Sequence, residues 1–392
     1  MVLLAVNFFQ SMSAQIANTV IPLYARDLGA NAAMLGTIVS TFAITALAVR
    51  PFSGPAFDSF RKKPFMFAAY LVNMTAMFLY GVADTPGSLM AVRLLHGVGI
   101  GCAGPLGMAI CNQILPHERL SSGISIYMLA FTVAQSVGPA FAVWFAGIVG
   151  YQVTFFTSGT LLAVSCALIL FLKVPEIPNR PAYKIRPERI FAKPALIPAI
   201  MLCLLCMAFS AIGSFLVIYG MLRGVSDIAL FFTVYAICLL ITRPVFGKIS
   251  DTRGTTVVLV PAIICFAVSY VLISQAASLP AFLIAAVVSA LGFGICTPLM
   301  QALTFKIVPT KRSGAGSNTT YTGMDVGSLL GPVLAGTLVD VFTPVWGSEV
   351  AGYSTMWLLL IVPILASLAF YLASRKRIRR YAHAAAKEDM GL

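Results

Sequence analysis

Charge is what this sequence has least of. Only 10% of its 392 residues are Asp, Glu, Lys or Arg, where soluble globular chains carry about 25%. Apolar residues make up 59%. So few charges cannot cover that much apolar surface with a wet exterior, which excludes a soluble globular protein. Acidic residues are scarcer still, 13 against 26 basic ones, for a net charge of +13. The excess does not point to nucleic acid. The basic residues sit in short clusters between apolar runs, and no basic, aromatic-studded face is present. The sequence has no HExxH, no GxSxG and no phosphate-binding glycine loop, and its apolar runs hold no cluster of His or acidic residues. Neither an enzyme, nor a metal site, nor a cofactor is expected. No selectivity-filter motif favours a channel.

Cysteine is present but not arranged for bridging. All eight (Cys102, Cys111, Cys166, Cys203, Cys206, Cys238, Cys265 and Cys296) lie inside apolar stretches. Cys203 and Cys206 form a CxxC, which in a soluble protein would suggest redox chemistry. Within an apolar helix it reads as two small buried residues. The first apolar run begins at Met1, with no basic stretch before it and no small-residue cleavage site after it. It therefore reads as a first spanning helix, not a removable leader. Its abrupt start suggests a short or trimmed N-terminus.

What the chain does have is long apolar runs. A spanning helix needs about 20 mostly apolar residues. Runs at 1–25, 28–49, 64–83 and 88–114 qualify, the last containing only Arg93. Residues 120–172 are uncharged and too long for one span, and break at 147–150. Residues 194–222 and 228–246 follow, then 254–305, which breaks near 278–280, then 314–338 and 353–373. The expected fold is an all-α membrane protein of twelve transmembrane helices.

Lys and Arg placement sets the orientation. With the N-terminus inside, the inner loops carry Arg61, Lys62, Lys63, Arg119, Lys248, Arg253, Lys311 and Arg312, and the tail carries Arg375, Lys376, Arg377, Arg379 and Arg380. The outer loops keep only Arg26 and Arg223. Both termini are expected to be cytoplasmic, in the plasma membrane (the inner membrane of a bacterial cell). Residues 173–194 hold a proline-rich run of six basic residues, Lys173 to Lys193. They read as a cytoplasmic linker, solvated or lying on the anionic leaflet. It joins an N-terminal bundle at 1–172 to a C-terminal bundle at 195–373, followed by a basic tail at 374–392.

The two halves repeat at a constant offset of 193 residues. Arg50, Pro51, Gly54 and Asp58 fall on Arg243, Pro244, Gly247 and Asp251. Gly99, Gly101, Pro105 and Leu106 fall on Gly292, Gly294, Pro298 and Leu299. Pro116, Arg119 and Gly123 fall on Pro309, Arg312 and Gly316, and Gly138–Pro139 falls on Gly331–Pro332. An even number of helices per half keeps both halves in the same orientation, as a parallel repeat.

Several of these segments resemble signatures of the major facilitator superfamily. RPFSGPAFDSFRKKP at 50–64 is similar to its loop 2–3 signature, and RPVFGKISDTRG at 243–254 to the second copy in loop 8–9. The first copy has Arg61 where the family usually has Gly, and the second lacks the Arg after Asp. RLLHGVG at 93–99 resembles the fourth-helix signature, with His96 replacing Gln. SVGPAFAVWFAG at 136–147 resembles the Gly-Pro signature of the family's antiporters, and DVGSLLGPVLAG at 325–336 repeats it. The resemblance covers essentially the whole chain and leans to the drug:proton antiporter branch. It implies the major facilitator fold, two parallel six-helix repeats working by alternating access.

Asp325 is the sharpest functional candidate. It lies about 11 residues into the eleventh span, roughly 17 Å along a helix, near the middle of the hydrocarbon core. A carboxylate there is costly when ionised and cheap when protonated, which suits a proton carrier. Arg93 is the second proton-coupling candidate, largely through the resemblance. His96, on the same helical face and titratable in the physiological range, is the third. Asn7, Ser11, Gln15 and Asn18 form a polar stripe on the first span and are candidates for lining a substrate cavity. Gln135, Tyr235, Gln301 and Tyr321 are further ones. Asp58 and Asp251 can meet a helix N-terminus or an arginine, with Arg50 and Arg243 as partners, so that Arg50, Gly54, Asp58, Arg243, Gly247 and Asp251 form a gate. Gly138, Pro139, Gly331 and Pro332 are expected helix bends and packing points.

The expected function is proton-coupled export of small amphipathic compounds or drugs. The expected partners are a small-molecule substrate, protons and membrane lipids, with the chain acting as a monomer. Transport of one specific metabolite is the alternative, as is a lipid flippase on the same fold.

Overall fold

The computed structural model describes residues 1–30, 32–176, 182–183, 190–225 and 227–390. Half of the linker, including Arg180, Lys184, Arg186 and Arg189, lies outside the described residues. Among those described, ten helices are long and apolar enough to cross a membrane. The chain runs through α1 (Val2–Asp27), α2 (Ala32–Ser59), α3 (Lys62–Val82), α4 (Pro86–Ile114) and α5 (Leu120–Phe171). After the linker come α6 (Leu196–Leu222), α7 (Leu230–Arg253), α8 (Thr255–Gln275) and α9 (Leu279–Ser289). The last four are α10 (Ile295–Ile307), α11 (Ser313–Trp346), α12 (Glu349–Leu359) and α13 (Ile361–Met390).

The helix ends follow local chemistry. Gly150 breaks α5 into two limbs with φ 81° and ψ 166°, a conformation only glycine adopts readily. Gly254 (φ 89°) turns α7 into α8. Thr85 caps α4 by accepting from Ser88 N while Ser88 Oγ accepts from Thr85 N, a reciprocal capping box. A π turn at Ala290–Gly294 joins α9 to α10, a feature periodicity does not reveal. The last span differs from expectation at both ends. It starts at Glu349, steps at Leu360, and continues as helix to Met390, so residues 374–390 of the basic tail are helical.

The residues cluster into two compact units. Unit 1 holds residues 1–115, 127–192 and 310–318, and unit 2 holds 116–126, 193–309 and 319–392. Within unit 1, α4 packs on both α2 and α3. A side chain at Gly101 would press on Ala46 of α2, with Cα 3.0 Å away, and one at Gly99 would collide with Asn73 of α3. Unit 2 repeats the pattern at the same offset, with Gly294 against Leu239 and Gly292 against Phe266. On α11, Gly323, Gly327 and Gly331 lie against the backbones of Ala199, Cys203 and Met207 of α6. Both series step by four residues, the small-residue spacing that lets membrane helices touch.

Candidate gating and coupling sites

Proline explains the paired arginines. In a helix, the carbonyl of residue i accepts from the N–H of i+4, and proline has no N–H. Pro105 therefore leaves Gly101 O without its usual donor, and Pro298 does the same to Gly294 O. Arg50 Nη1 donates to Gly101 O at 3.1 Å, and Arg243 Nε donates to Gly294 O at 3.1 Å. Both arginines are buried. Beside their expected part in the gate, both arginines serve these carbonyls. Cations beside the carboxylates include Lys62 and Arg312 near Asp58, and Lys306 with Nζ 3.6 Å from Asp251 Oδ1.

The carboxylates themselves cap helices. Within unit 1, Gly314 N and Ala315 N at the start of α11 donate to Asp58 Oδ1 (2.8 Å) and Oδ2 (3.2 Å). Within unit 2, Ser121 N and Ser122 N at the start of α5 donate to Asp251 Oδ1 (3.0 Å) and Oδ2 (2.8 Å). The four donors correspond pairwise at the repeat offset. Each carboxylate meets unsatisfied N–H groups at the positive end of a helix dipole, a charge-assisted contact. Gly54 and Gly247 make room for this approach. A Cβ on Gly54 would lie 3.0 Å from Asn318 Nδ2, and one on Gly247 would lie 2.7 Å from Ser125 Oγ. Asn318 Nδ2 also donates to Arg50 O at 2.7 Å, and Ser53 Oγ to Asn318 Oδ1 at 3.1 Å.

The sequence reading missed Lys306, Ser53, Asn318 and the Ser121–Ser122 pair. Lys306 was legible as the one cation inside an otherwise apolar run. The serines were not, because their backbone N–H groups do the work and any residue but proline could supply them.

Deeper in unit 1 lies Arg93, with 1% of its surface exposed. Its Nη1 donates to Asn18 Oδ1 at 3.2 Å, and its guanidinium carbon sits 4.9 Å from the centre of the Phe42 ring. His96 is fully buried, with Nδ1 3.3 Å from Tyr80 Oη. Among the described residues, buried Arg93 Nε and His96 Nε2 meet no hydrogen-bond partner. Tyr80, which sequence reasoning did not single out, belongs to this cluster.

The polar stripe of α1 is partly spent on neighbouring helices. Asn7 Nδ2 donates to Tyr127 O at 2.9 Å, Ser11 Oγ reaches Asn7 Oδ1 at 3.5 Å, and Gln15 packs its Cβ against Gly138. Asn18 and Gln135 are exposed. Tyr235 is buried among aromatic rings, with Phe209 at 5.8 Å and Phe231 at 6.5 Å. Gln301 is fully enclosed, donating to Met324 Sδ at 3.4 Å. Asp325 and Tyr321 are half-buried on α11, with Asp325 in the neighbourhood of Cys206 of α6. Gly138–Pro139 and Gly331–Pro332 lie within continuous helix, where Gly331 meets Ser210 and Met207. Among the described residues no group of His, Cys, Asp and Glu could hold a metal ion.

These repeated features agree with the comparisons. The sequence profile of the Major Facilitator Superfamily matches residues 3–231 and 223–389. The chain belongs to that superfamily and is a multi-pass membrane transporter. It is 24% identical over 350 residues to Multidrug resistance protein 1 of Bacillus subtilis, covering 87% of this chain and 89% of the relative. It is 22% identical over 333 residues to the quinolone resistance protein NorA of Staphylococcus aureus, covering 82% and 85%. The crystal structure of the human organic anion transporter MFSD10 superposes with TM-score 0.80 at 14% identity, covering 94% of this chain and 97% of that one.

Proposed function

We propose that this protein exports small amphipathic compounds in exchange for protons, by alternating access of two six-helix halves. The carrying observation is Asp325. Of the 13 acidic residues it is the one in the middle of an apolar span, 12 residues from the start of α11, or about 18 Å along it. A half-buried carboxylate at that depth favours a cycle of protonation and release. The efflux relatives at 22% and 24% identity support the class of cargo. The span count of twelve, the cytoplasmic position of both termini and action as a single chain belong to the same proposal. So does the two-bundle division with its linker at 173–194.

In this reading Asp58 and Asp251 are release points. Segment 310–318 docks in unit 1 and segment 116–126 in unit 2. Each is held by two charge-assisted bonds that must break when the basic face opens. Arg93 and His96 modulate the proton site. The test is flux in proteoliposomes under an imposed pH gradient, with panels of lipophilic cations, neutral amphiphiles and organic anions. Gradient-driven movement of cationic or neutral amphiphiles supports the proposal. Movement of none of them, under a gradient that persists, contradicts it.

A second reading is a single anionic metabolite. It is favoured by Arg93, a buried cation whose side-chain partners Asn18 and Tyr80 are neutral groups. Flux confined to organic anions, and lost in Arg93→Gln, would select it.

A further inference from the structure

At the basic end of unit 1 a cavity of about 160 Å³ opens between the start of α3, the end of α4 and the first linker residues. Its walls include Arg61, Lys62, Lys63, Gln113, Pro175 and Glu176. Three consecutive cations at a helix N-terminus oppose the helix dipole, which favours anions there. The first turn of α3 holds no acidic residue, and Arg61 at the N-cap makes no side-chain cap bond. The cations are unequally balanced. Lys62 donates to Gln113 Oε1 at 3.1 Å and Ser313 Oγ at 3.0 Å, and also faces Asp58. Arg61 meets Glu176 at 3.3 Å, but both side chains are about two-thirds exposed, a pairing worth little in water. Lys63 Nζ donates at 2.7 Å to Leu170 O, a neutral acceptor. Among the described residues the cavity wall therefore carries three cations against one carboxylate, Glu176, a net positive charge.

The surroundings indicate where that anion comes from. Leu170 and Phe171, at the carbonyl that Lys63 grips, are 61% and 73% exposed. Phe60, next to Arg61 in the chain, pairs with Tyr183 in a tilted contact at 5.5 Å, both rings exposed, as interfacial aromatics are at headgroup depth. Exposed apolar surface, interfacial aromatics and a cationic cavity together match the acyl chains, interface and headgroup of a lipid. We propose that this cavity takes the phosphate of an anionic glycerophospholipid from the leaflet faced by the basic loops. Arg61 and Lys63 hold the phosphate, Gln113 lines its base, and the acyl chains run along Leu170 and Phe171. The site rests on the proposed orientation and is independent of the cargo.

The test is native mass spectrometry of the full chain released from detergent micelles. It is titrated with phosphatidylglycerol, with phosphatidylcholine, and with phosphatidylglycerol in the presence of glycerol 3-phosphate. Phosphatidylglycerol is expected to bind more tightly than phosphatidylcholine. The Arg61→Gln, Lys63→Gln double variant is expected to lose about fivefold in affinity per cation removed. Glycerol 3-phosphate should not compete, because it has no acyl chain. Equal phosphatidylglycerol binding by the double variant would overturn the site. Full competition by glycerol 3-phosphate would overturn the lipid and assign a soluble organophosphate. If the double variant does not fold, Glu176→Gln keeps every cation. It should tighten phosphatidylglycerol binding about fivefold, and no tightening would overturn the proposal.

Discussion

At the scale of single residues, the repeat is a set of matched substitutions for missing hydrogen bonds. Arg50 and Arg243 stand in for the N–H that Pro105 and Pro298 lack, at equal distances of 3.1 Å. This makes a specific double-mutant prediction. Arg50→Ala should cost about 1–3 kcal/mol, since it leaves a buried carbonyl unsatisfied. In a Pro105→Ala background the restored backbone N–H can serve Gly101 O, so the same change should cost less. Thermal unfolding in detergent measures the difference, and additive costs would refute the link. The repeated Arg-Pro and Gly-x-Gly-x-x-x-Pro segments were plain in the sequence. Their connection was not, because a donor and the carbonyl it serves lie 51 residues apart. The aspartates suggested charge partners, and the nearest arginine in sequence was the natural candidate. Lys62 and Lys306 are near the carboxylates as well, because the fold brings the start of α3 and the end of α10 to them.

At the scale of helices, glycine spacing sets contact distances. Gly327 meets the Cys203 backbone, whereas a Cβ on Gly336 would find only Phe215 at 3.6 Å, an ordinary contact. Gly327→Ala should therefore push α11 from α6 and destabilise by about 1–3 kcal/mol. Gly336→Ala should be neutral or stabilising by up to about 1 kcal/mol, the helix-propensity gain. The melting temperature should fall for Gly327→Ala and hold or rise for Gly336→Ala. Apolar run length gave most of the helices and the breaks at Gly150 and near Ser278. It could not give the π turn at Ala290–Gly294 or the helical continuation to Met390. The first depends on how Gly292 and Gly294 pack on Phe266 and Leu239. The second occurs in a charged stretch with no apolar period to read.

At the scale of the whole molecule, the two carboxylate caps each hold one chain segment, one within each unit. Asp58→Ala should speed hydrogen exchange at Gly314 and Ala315 and leave Ser121 and Ser122 protected, with Asp251→Ala doing the reverse. Each cap contributes about 0.3–1 kcal/mol, and up to about 2 when partly buried. Exchange unchanged at both segments would remove the caps from the gating account. The Gly-then-Asp segments and their repeat were legible as candidates for such a gate, and the helix N-terminus was one of the partners the chemistry allowed.

Proton coupling through Asp325 is the central claim, and uphill transport by Asp325→Asn in proteoliposomes tests it most directly. With a substrate established for the wild type, the variant should lose accumulation driven by an imposed pH gradient. It should keep substrate-for-substrate exchange without a gradient, because an amide fills the site but carries no proton. Accumulation at the wild-type level would contradict Asp325 as the carrier.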